Sequence, residues 1–560
     1  MVAPFHLFRT VPAMYRAFPL AAPQKSTGVR LADILFVLAA ALYAWLAFRG
    51  IVLLSASGTM LDSDLQTYAQ GMARAFFPEN FAADPILAHK SAGNSIQNLQ
   101  RWLAGLLLEE ENFGLALLKA GCIAIFCFYC FWYALGRHLF GSPCLAALLA
   151  MCSGITIWVG WGTFWGVTHS DPVPRVFFAA IFPLLFWLAL AALGRPLLRP
   201  VAMLACGCAM WVHGVSALNC GAMFFSAFFF LRPQGTGRAG HLLNLALCLV
   251  TFLVPVCIFL SPSLGQAASF SAEDLAFFRE MQAFRWEKDF TDFWPKFLNA
   301  FTPPAPLFFL TLTGAACWFA VRHAGKAQFA GLVRFIPALL PGLGAVALLS
   351  WLEPLLAPDF GRLSMGHELV RGLRFLIPFA WLLIIAACAC YTGKWQRRAI
   401  LVISFCALML LNQDRQHLAA RTALEEFCGL PISVRAQQLI IEAEEEKALV
   451  AAVAAIVPPS EAIFCPVDQM PLRYVGRRSV AHSFKDGYSF FYNKELEASR
   501  RWFAIETALH EEPDGLAKAW ELSGASWLLV PRGDLAEVPP ATRAAGPALE
   551  TPGWLLFHRP

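Results

Sequence analysis

The chain has 560 residues, of which 58% are hydrophobic and only 14% charged, with 49 Phe, 18 Trp and a formal net charge of +5. Soluble domains carry about a quarter charged residues, so this much apolar surface calls for a bilayer rather than a single water-soluble core. The small charge is scattered, with no basic run interleaved with aromatics, which argues against nucleic acid as a partner.

Residues 1–30 form a basic tail (Arg9, Arg16, Lys25, Arg30) without a cleavable signal pattern, so the apolar run from Leu31 to Phe48 reads as an uncleaved first span. Apolar runs follow at 113–135, 143–162, 173–193, 200–213, 217–231, 241–261, 303–321, 334–352, 370–391 and 399–412. The expected fold is therefore a polytopic α-helical membrane protein of about eleven spans. Arg137, Arg195 with Arg199, Arg232 with Arg238, Arg322 with Lys326, and Lys394 with Arg397 and Arg398 occupy every second loop, together with the N-terminal tail. By the positive-inside rule those loops are cytoplasmic, and the alternation closes only if 200–231 holds two spans. The expected layout is a cytoplasmic tail (1–30), a transmembrane domain (31–412) with an extracytoplasmic loop at 49–112, and an extracytoplasmic domain (413–560).

The first outer loop carries Asp62-Ser63-Asp64 just past the first span, and Asp84 further on. Two carboxylates one residue apart at a membrane surface suit a divalent cation such as Mg²⁺ or Mn²⁺, or a general base with its orienting partner. The same residues suit a helix N-cap before Leu65. The next outer turn holds His169, Ser170 and Asp171 ahead of Pro172 and Arg175. Asp171 fits a shared site and Arg175 an anion at a helix start, while Asp171-Pro172 also fits a plain helix start. His213 falls at the outer tip of the two short spans, where polar groups face a bundle interior or a wet cavity. The loop segment with Phe277, Phe278, Met281 and Phe284 has an amphipathic pattern that suits a helix lying on the membrane. Arg371 and Arg374, at i and i+3 on a helix beginning near Glu368, share one face. They suit bidentate recognition of a phosphate, snorkelling to lipid headgroups, or pairing with Asp359 or Glu368.

Beyond 413 the character changes. Residues 413–456 read as polar helix, then Ala462–Val467, Trp527–Pro531 and Trp554–Phe557 as short strands around a helical stretch at 494–523, a small α/β domain. Most of the 16 cysteines sit singly in apolar runs, and Cys127-x-x-Cys130 lies inside a span. Cys428 and Cys465, in the polar region, are read as either a pair or two thiols. The sequence has no phosphate-binding Gly-x-x-x-x-Gly-Lys-Ser/Thr loop and no Gly-x-Ser-x-Gly or His-Glu-x-x-His motif.

The arrangement resembles the GT-C superfamily of polytopic membrane glycosyltransferases, in a bacterial branch with an extracytoplasmic C-terminal domain. The resemblance rests on the acidic Asp62-Ser63-Asp64 in the first outer loop and on Arg371-Gly372-Leu373-Arg374-Phe375. It rests also on Pro458–Phe464 and on Gly476–Val480 with Lys485 after it. It implies transfer of a sugar from a polyprenyl-phosphate donor to an envelope glycan, lipid or protein acceptor, with membrane lipids as surroundings. It further implies Asp62 or Asp64 as base or metal ligand, with Arg371 and Arg374 on the lipid phosphate. Asp84, His169, Asp171, Arg175 and His213 complete the expected substrate-binding set. Competing readings are a non-catalytic envelope scaffold or carrier, and a secondary transporter.

Overall fold

The computed structural model describes residues 30–559 apart from 62, 89–98, 159–163, 169–171, 265–269, 287–313, 315–329, 358–365, 412–414, 469–470, 494 and 513. Helices dominate. The first, α1 (Leu31–Leu54), leads through a tight turn into α2 (Ser63–Phe76) and α3 (Leu99–Leu106) of the first loop. Then come α4 (Phe113–Phe140), α5 (Pro143–Gly154), α6 (Pro174–Ala192), α7 (Leu198–Cys208), α8 (Met210–Phe230), α9 (Arg238–Leu264) and α10 (Ala272–Trp286). Helices Ala330–Leu356, Leu376–Tyr391 and Lys394–Leu411 complete the apolar part, with a 3₁₀ segment, Gly366–Phe375, leading into the second of them.

Among the described residues, seven helical segments are long and apolar enough to cross a membrane: α1, α4, α6, α8, Arg238–Ser261, Gly331–Glu353 and Glu368–Cys390. The protein is an integral membrane protein. Of the other four expected runs, 399–412 falls in the helix Lys394–Leu411, and 303–321 lies outside the described residues apart from Gly314. The run at 143–162 is a correction. Helix α5 stops at Gly154, and the chain turns into a hairpin of β1 (Ile157–Trp158) and β2 (Phe164–Trp165). Its 12 residues reach about 18 Å against a hydrocarbon core of about 30 Å. Helix α7, with 11 residues, is likewise too short to cross by itself.

The pair at 200–231 nonetheless forms two antiparallel limbs. Arg199, fully buried at the start of α7, donates to the carbonyls of Phe228 at 3.0 Å and of Leu231 at the far end of α8, and to Leu193 at 2.8 Å. A guanidinium there satisfies the open carbonyls of two helix ends, α6 and α8, at once. The helical path between the limbs breaks at His213, whose backbone is extended.

The C-terminal part begins with helix Arg415–Phe427, which lies on α1. A side chain on Gly50 would run into the Ala419 carbonyl at 1.7 Å, so only glycine allows this approach. Helix Val434–Ile456 follows, then a five-stranded mixed sheet in the order β4-β3-β5-β7-β6. Its strands are β3 (Ala462–Phe464), β4 (Ser479–Val480), β5 (Trp527–Pro531), β6 (Leu549–Glu550) and β7 (Trp554–His558). The three longer ones fall on the expected runs. Their period of two splits the core in two. Phe464, Leu528, Val530, Leu555 and Phe557 face helices Leu496–Glu511 and Gly515–Ser523. Ile463, Cys465, Trp527, Leu529 and Leu556 face helix Val434–Ile456. Cys428 is exposed and Cys465 buried, and both are free thiols.

Helix α10 corrects the expectation of a membrane-lying segment. Phe278 and Met281 are fully buried, Phe277 and Phe284 pack edge-on against Phe503, and Asp274 meets Arg500 at 3.1 Å. The amphipathic face is covered by helix Leu496–Glu511 of the C-terminal domain, not by lipid.

Candidate functional site

Besides the single pairs Arg49–Glu426 and Arg477–Glu111, two larger ionic clusters among the described residues join the first loop to the C-terminal domain, and they differ in kind. The first surrounds Arg473, in the short helix Pro471–Tyr474. Its guanidinium donates to Asp84 at 2.8 and 3.2 Å, to Asp486 at 2.7 Å twice, and to Gln70 and the Val480 carbonyl. Asp84 also accepts the backbone N–H groups of Ile86, Leu87 and Val480. Arg473 and Asp84 are both at 0% exposure. Burial would push the guanidinium down, but Asp486 and Asp84 outweigh it and push Arg473 further up, so it stays charged. One positive charge shared between two carboxylates leaves burial free to push Asp486 above the usual carboxylate range. Asp84 was expected among the substrate-binding residues. Its oxygens are taken up by Arg473 and by three backbone N–H groups.

The second cluster centres on Asp64, in the first turn of α2, where the helix dipole favours an anion. Arg175 Nη2 stands 3.3 Å from one carboxylate oxygen and Lys485 Nζ 3.5 Å from the other. The Asp64 side chain keeps 56% of its exposure, while Arg175 and Lys485 keep 11% and 22%. Arg175, one residue into α6, lies over the Phe164 ring at 4.4 Å, so hairpin β1–β2 forms the floor beneath it. Asp62, His169 and Asp171 lie outside the described residues.

The remaining expected residues converge on the same end of the bundle. Arg371 and Arg374 lie in the 3₁₀ segment, where three residues per turn put positions i and i+3 directly in line. Gly372 brings this segment onto α8: a side chain there would meet Asn219 Oδ1 at 1.9 Å, and Asn219 donates to the Leu369 carbonyl at 3.2 Å. Arg374 is thereby buried, donating to Ser216 Oγ and lying 3.5 Å from His213 Nδ1. His213 Nδ1 also accepts the Ser216 N–H at 3.1 Å and contacts Ser216 Oγ at 2.7 Å, so the ring proton belongs on Nε2. Arg371 is less buried and pairs with Glu368 at 2.7 Å. Arg175, Arg371 and Arg374 all lie within electrostatic reach of His213, and Arg175 and Arg371 within reach of Arg374.

The site thus contains a half-open carboxylate, three arginines, a lysine and a histidine at a break in a membrane helix. Two of its members, Ser216 and Lys485, were not singled out for chemistry in the sequence. Lys485 lies 421 residues from Asp64 in a loop of the other domain, so no local pattern links them. Of the expected metal-binding pair, Asp64 alone falls among the described residues. Both Asp64 oxygens face cations, and among the described residues no group of three or more His, Cys, Asp or Glu side chains is placed to hold one.

No protein-family model matches the chain, and no curated protein matches it. Among solved structures, it is similar to ArnT from Cupriavidus metallidurans bound to undecaprenyl phosphate, at 12% identity over 94% of this chain and 97% of that one, with a TM-score of 0.45. It is similar also to the apo state of ArnT from Cupriavidus metallidurans, at 13% identity and the same coverage, with a TM-score of 0.40.

Proposed function

We propose that the protein is a membrane glycosyltransferase of the GT-C kind, moving a sugar from a polyprenyl-phosphate donor to a hydroxyl of an envelope glycan, lipid or protein. The observation that carries this reading is the convergence of Arg175, Arg371 and Arg374 beside the accessible carboxylate of Asp64, at the ends of membrane helices. Arginines recognise phosphate oxygens with a planar fork, and a lipid-linked phosphate arrives at just such a depth. The N-terminal tail is cytoplasmic in this reading, with the first loop and the C-terminal domain outside.

The chemistry is a single displacement. The acceptor oxygen forms a bond to the anomeric carbon as the bond from that carbon to the phosphate oxygen breaks, with inversion. Asp64 or its neighbour Asp62 takes the acceptor's proton. The arginines stabilise the charge that builds on the departing polyprenyl phosphate. No step is assigned to a metal.

Mass spectrometry of lipid-linked and envelope glycans in a null strain tests the reading. One glycan should vanish, return with the wild-type gene, and stay absent with an equally inserted Asp62→Asn, Asp64→Asn double variant. Unchanged glycans, or full restoration by the double variant, would favour a non-catalytic scaffold.

A further inference from the structure

Lys485 belongs to the C-terminal domain, yet its ammonium reaches the carboxylate at the mouth of the membrane domain. The loop carrying it is tied down on either side. The Trp502 indole N–H donates to the Ser483 carbonyl at 3.0 Å, and the Phe484 N–H donates to Asp468 at 2.8 Å. The Lys485 N–H donates to Ser483 Oγ at 3.2 Å, and the next residue, Asp486, is clamped twice by Arg473 at 2.7 Å. A surface lysine on a plain turn has no need of such a frame. Here the residues on both sides of Lys485 are anchored, and its side chain extends out of the frame to Asp64.

The two cations on Asp64 take different oxygens, Arg175 on Oδ2 and Lys485 on Oδ1. Both contacts are longer than a well-formed charge-assisted hydrogen bond, about 2.7–2.9 Å. A flexible four-carbon stem lets an ammonium exchange one oxygen for another at little cost.

We propose that Lys485 is a donor-binding residue: it swings from Asp64 to the donor phosphate, so that the C-terminal domain supplies one wall of the lipid-phosphate subsite. The proposal rests on the glycosyltransferase reading above. Arrival of the phosphate draws Lys485 away and leaves one Asp64 oxygen open to the acceptor hydroxyl. Domain docking and donor binding are thereby one event, because the Arg473 lock fixes the loop that presents the lysine.

The test is binding of undecaprenyl phosphate to the full-length protein in nanodiscs, with undecaprenol and inorganic phosphate as control ligands. Lys485→Met should weaken undecaprenyl phosphate about tenfold, as expected for loss of one charge-assisted contact. Lys485→Arg should restore most of the affinity, and neither variant should alter undecaprenol binding or the melting temperature. In turnover, Lys485→Met should raise the donor KM more than it lowers kcat, whereas Asp64→Asn should act on kcat. If wild type binds undecaprenyl phosphate and Lys485→Met binds it equally well, the lysine has no part in the subsite and this inference alone falls. If wild type does not distinguish undecaprenyl phosphate from undecaprenol, the glycosyltransferase reading falls and takes the inference with it. Equal affinity for inorganic phosphate would reassign the cluster to free phosphate and overturn the lipid-linked assignment. Should Lys485→Met fail to fold, Lys485→Gln carries the same expectations.

Discussion

The two clusters that join the first loop to the C-terminal domain are built from the same residue types, and adjacent residues, Lys485 and Asp486, serve one each. Around Arg473 both carboxylates are buried, Asp84 accepting five hydrogen bonds and Asp486 two short ones from the guanidinium. Around Asp64 each oxygen has one cation at 3.3 or 3.5 Å and more than half the side chain is open. Close pairing and burial turn charge into architecture, because removing either partner leaves an uncompensated charge inside. Charge that is held loosely and partly wet remains available for chemistry.

The largest expected effect tests the sealed member. Arg473→Met leaves Asp84 and Asp486 buried without their cation and should cost about 3–5 kcal/mol. It should be read as a lower melting temperature and earlier proteolytic release of the C-terminal domain. A variant that melts like wild type would erase the distinction between the clusters. Next comes Arg371→Gln, in the open region. It should weaken undecaprenyl phosphate binding about tenfold, with a smaller fall in melting temperature than Arg473→Met, since the Arg371 side chain is partly exposed. A drop in stability without a change in binding would move Arg371 to the structural side.

The smallest effect concerns a third carboxylate near the same seam. Glu446 lies within electrostatic reach of Tyr474, whose hydroxyl donates to the Thr59 carbonyl, and burial pushes the Glu446 carboxyl up to about 7. The folded state therefore favours its protonated form. The stability it contributes is fully present below the ordinary glutamate value and is lost as pH rises through about 7. Glu446→Gln should match wild type near pH 4.5 and be more stable by about 1–2 kcal/mol at pH 8. Parallel melting curves at both pH values would show that Glu446 is freely hydrated.

Much of this was legible in the sequence, and the reason differs from element to element. The strands at 462–464, 527–531 and 554–558 announce themselves because a sheet covered on both faces needs continuous apolar runs. The limbs meeting at His213 follow from the alternation of basic loops. Arg371 and Arg374 are visible as an i, i+3 pair, although the 3₁₀ geometry that aligns them is not. The Arg473 lock was hidden because its partner Asp84 is 389 residues away, and an isolated arginine gives no sign of what it will meet. Helix α10 was misplaced for a related reason. An amphipathic stripe states that an apolar partner exists, and lipid and a helix of the same chain satisfy it equally. The hairpin that shortens α5 has no signature in the sequence, because Ile157, Trp158, Phe164 and Trp165 are as apolar as a span.

The seat of Ala419 on Gly50 has a bearing on how the molecule is made. Helix α1 carries, at Gly50, a seat whose occupant, Ala419, is synthesised some 370 residues later. Until then that face of α1 has only lipid or a caretaker against it. The bundle cannot close as a simple procession from first helix to last. The C-terminal end of α1 is covered only once the helix Arg415–Phe427 arrives, so removing that helix reaches back to α1.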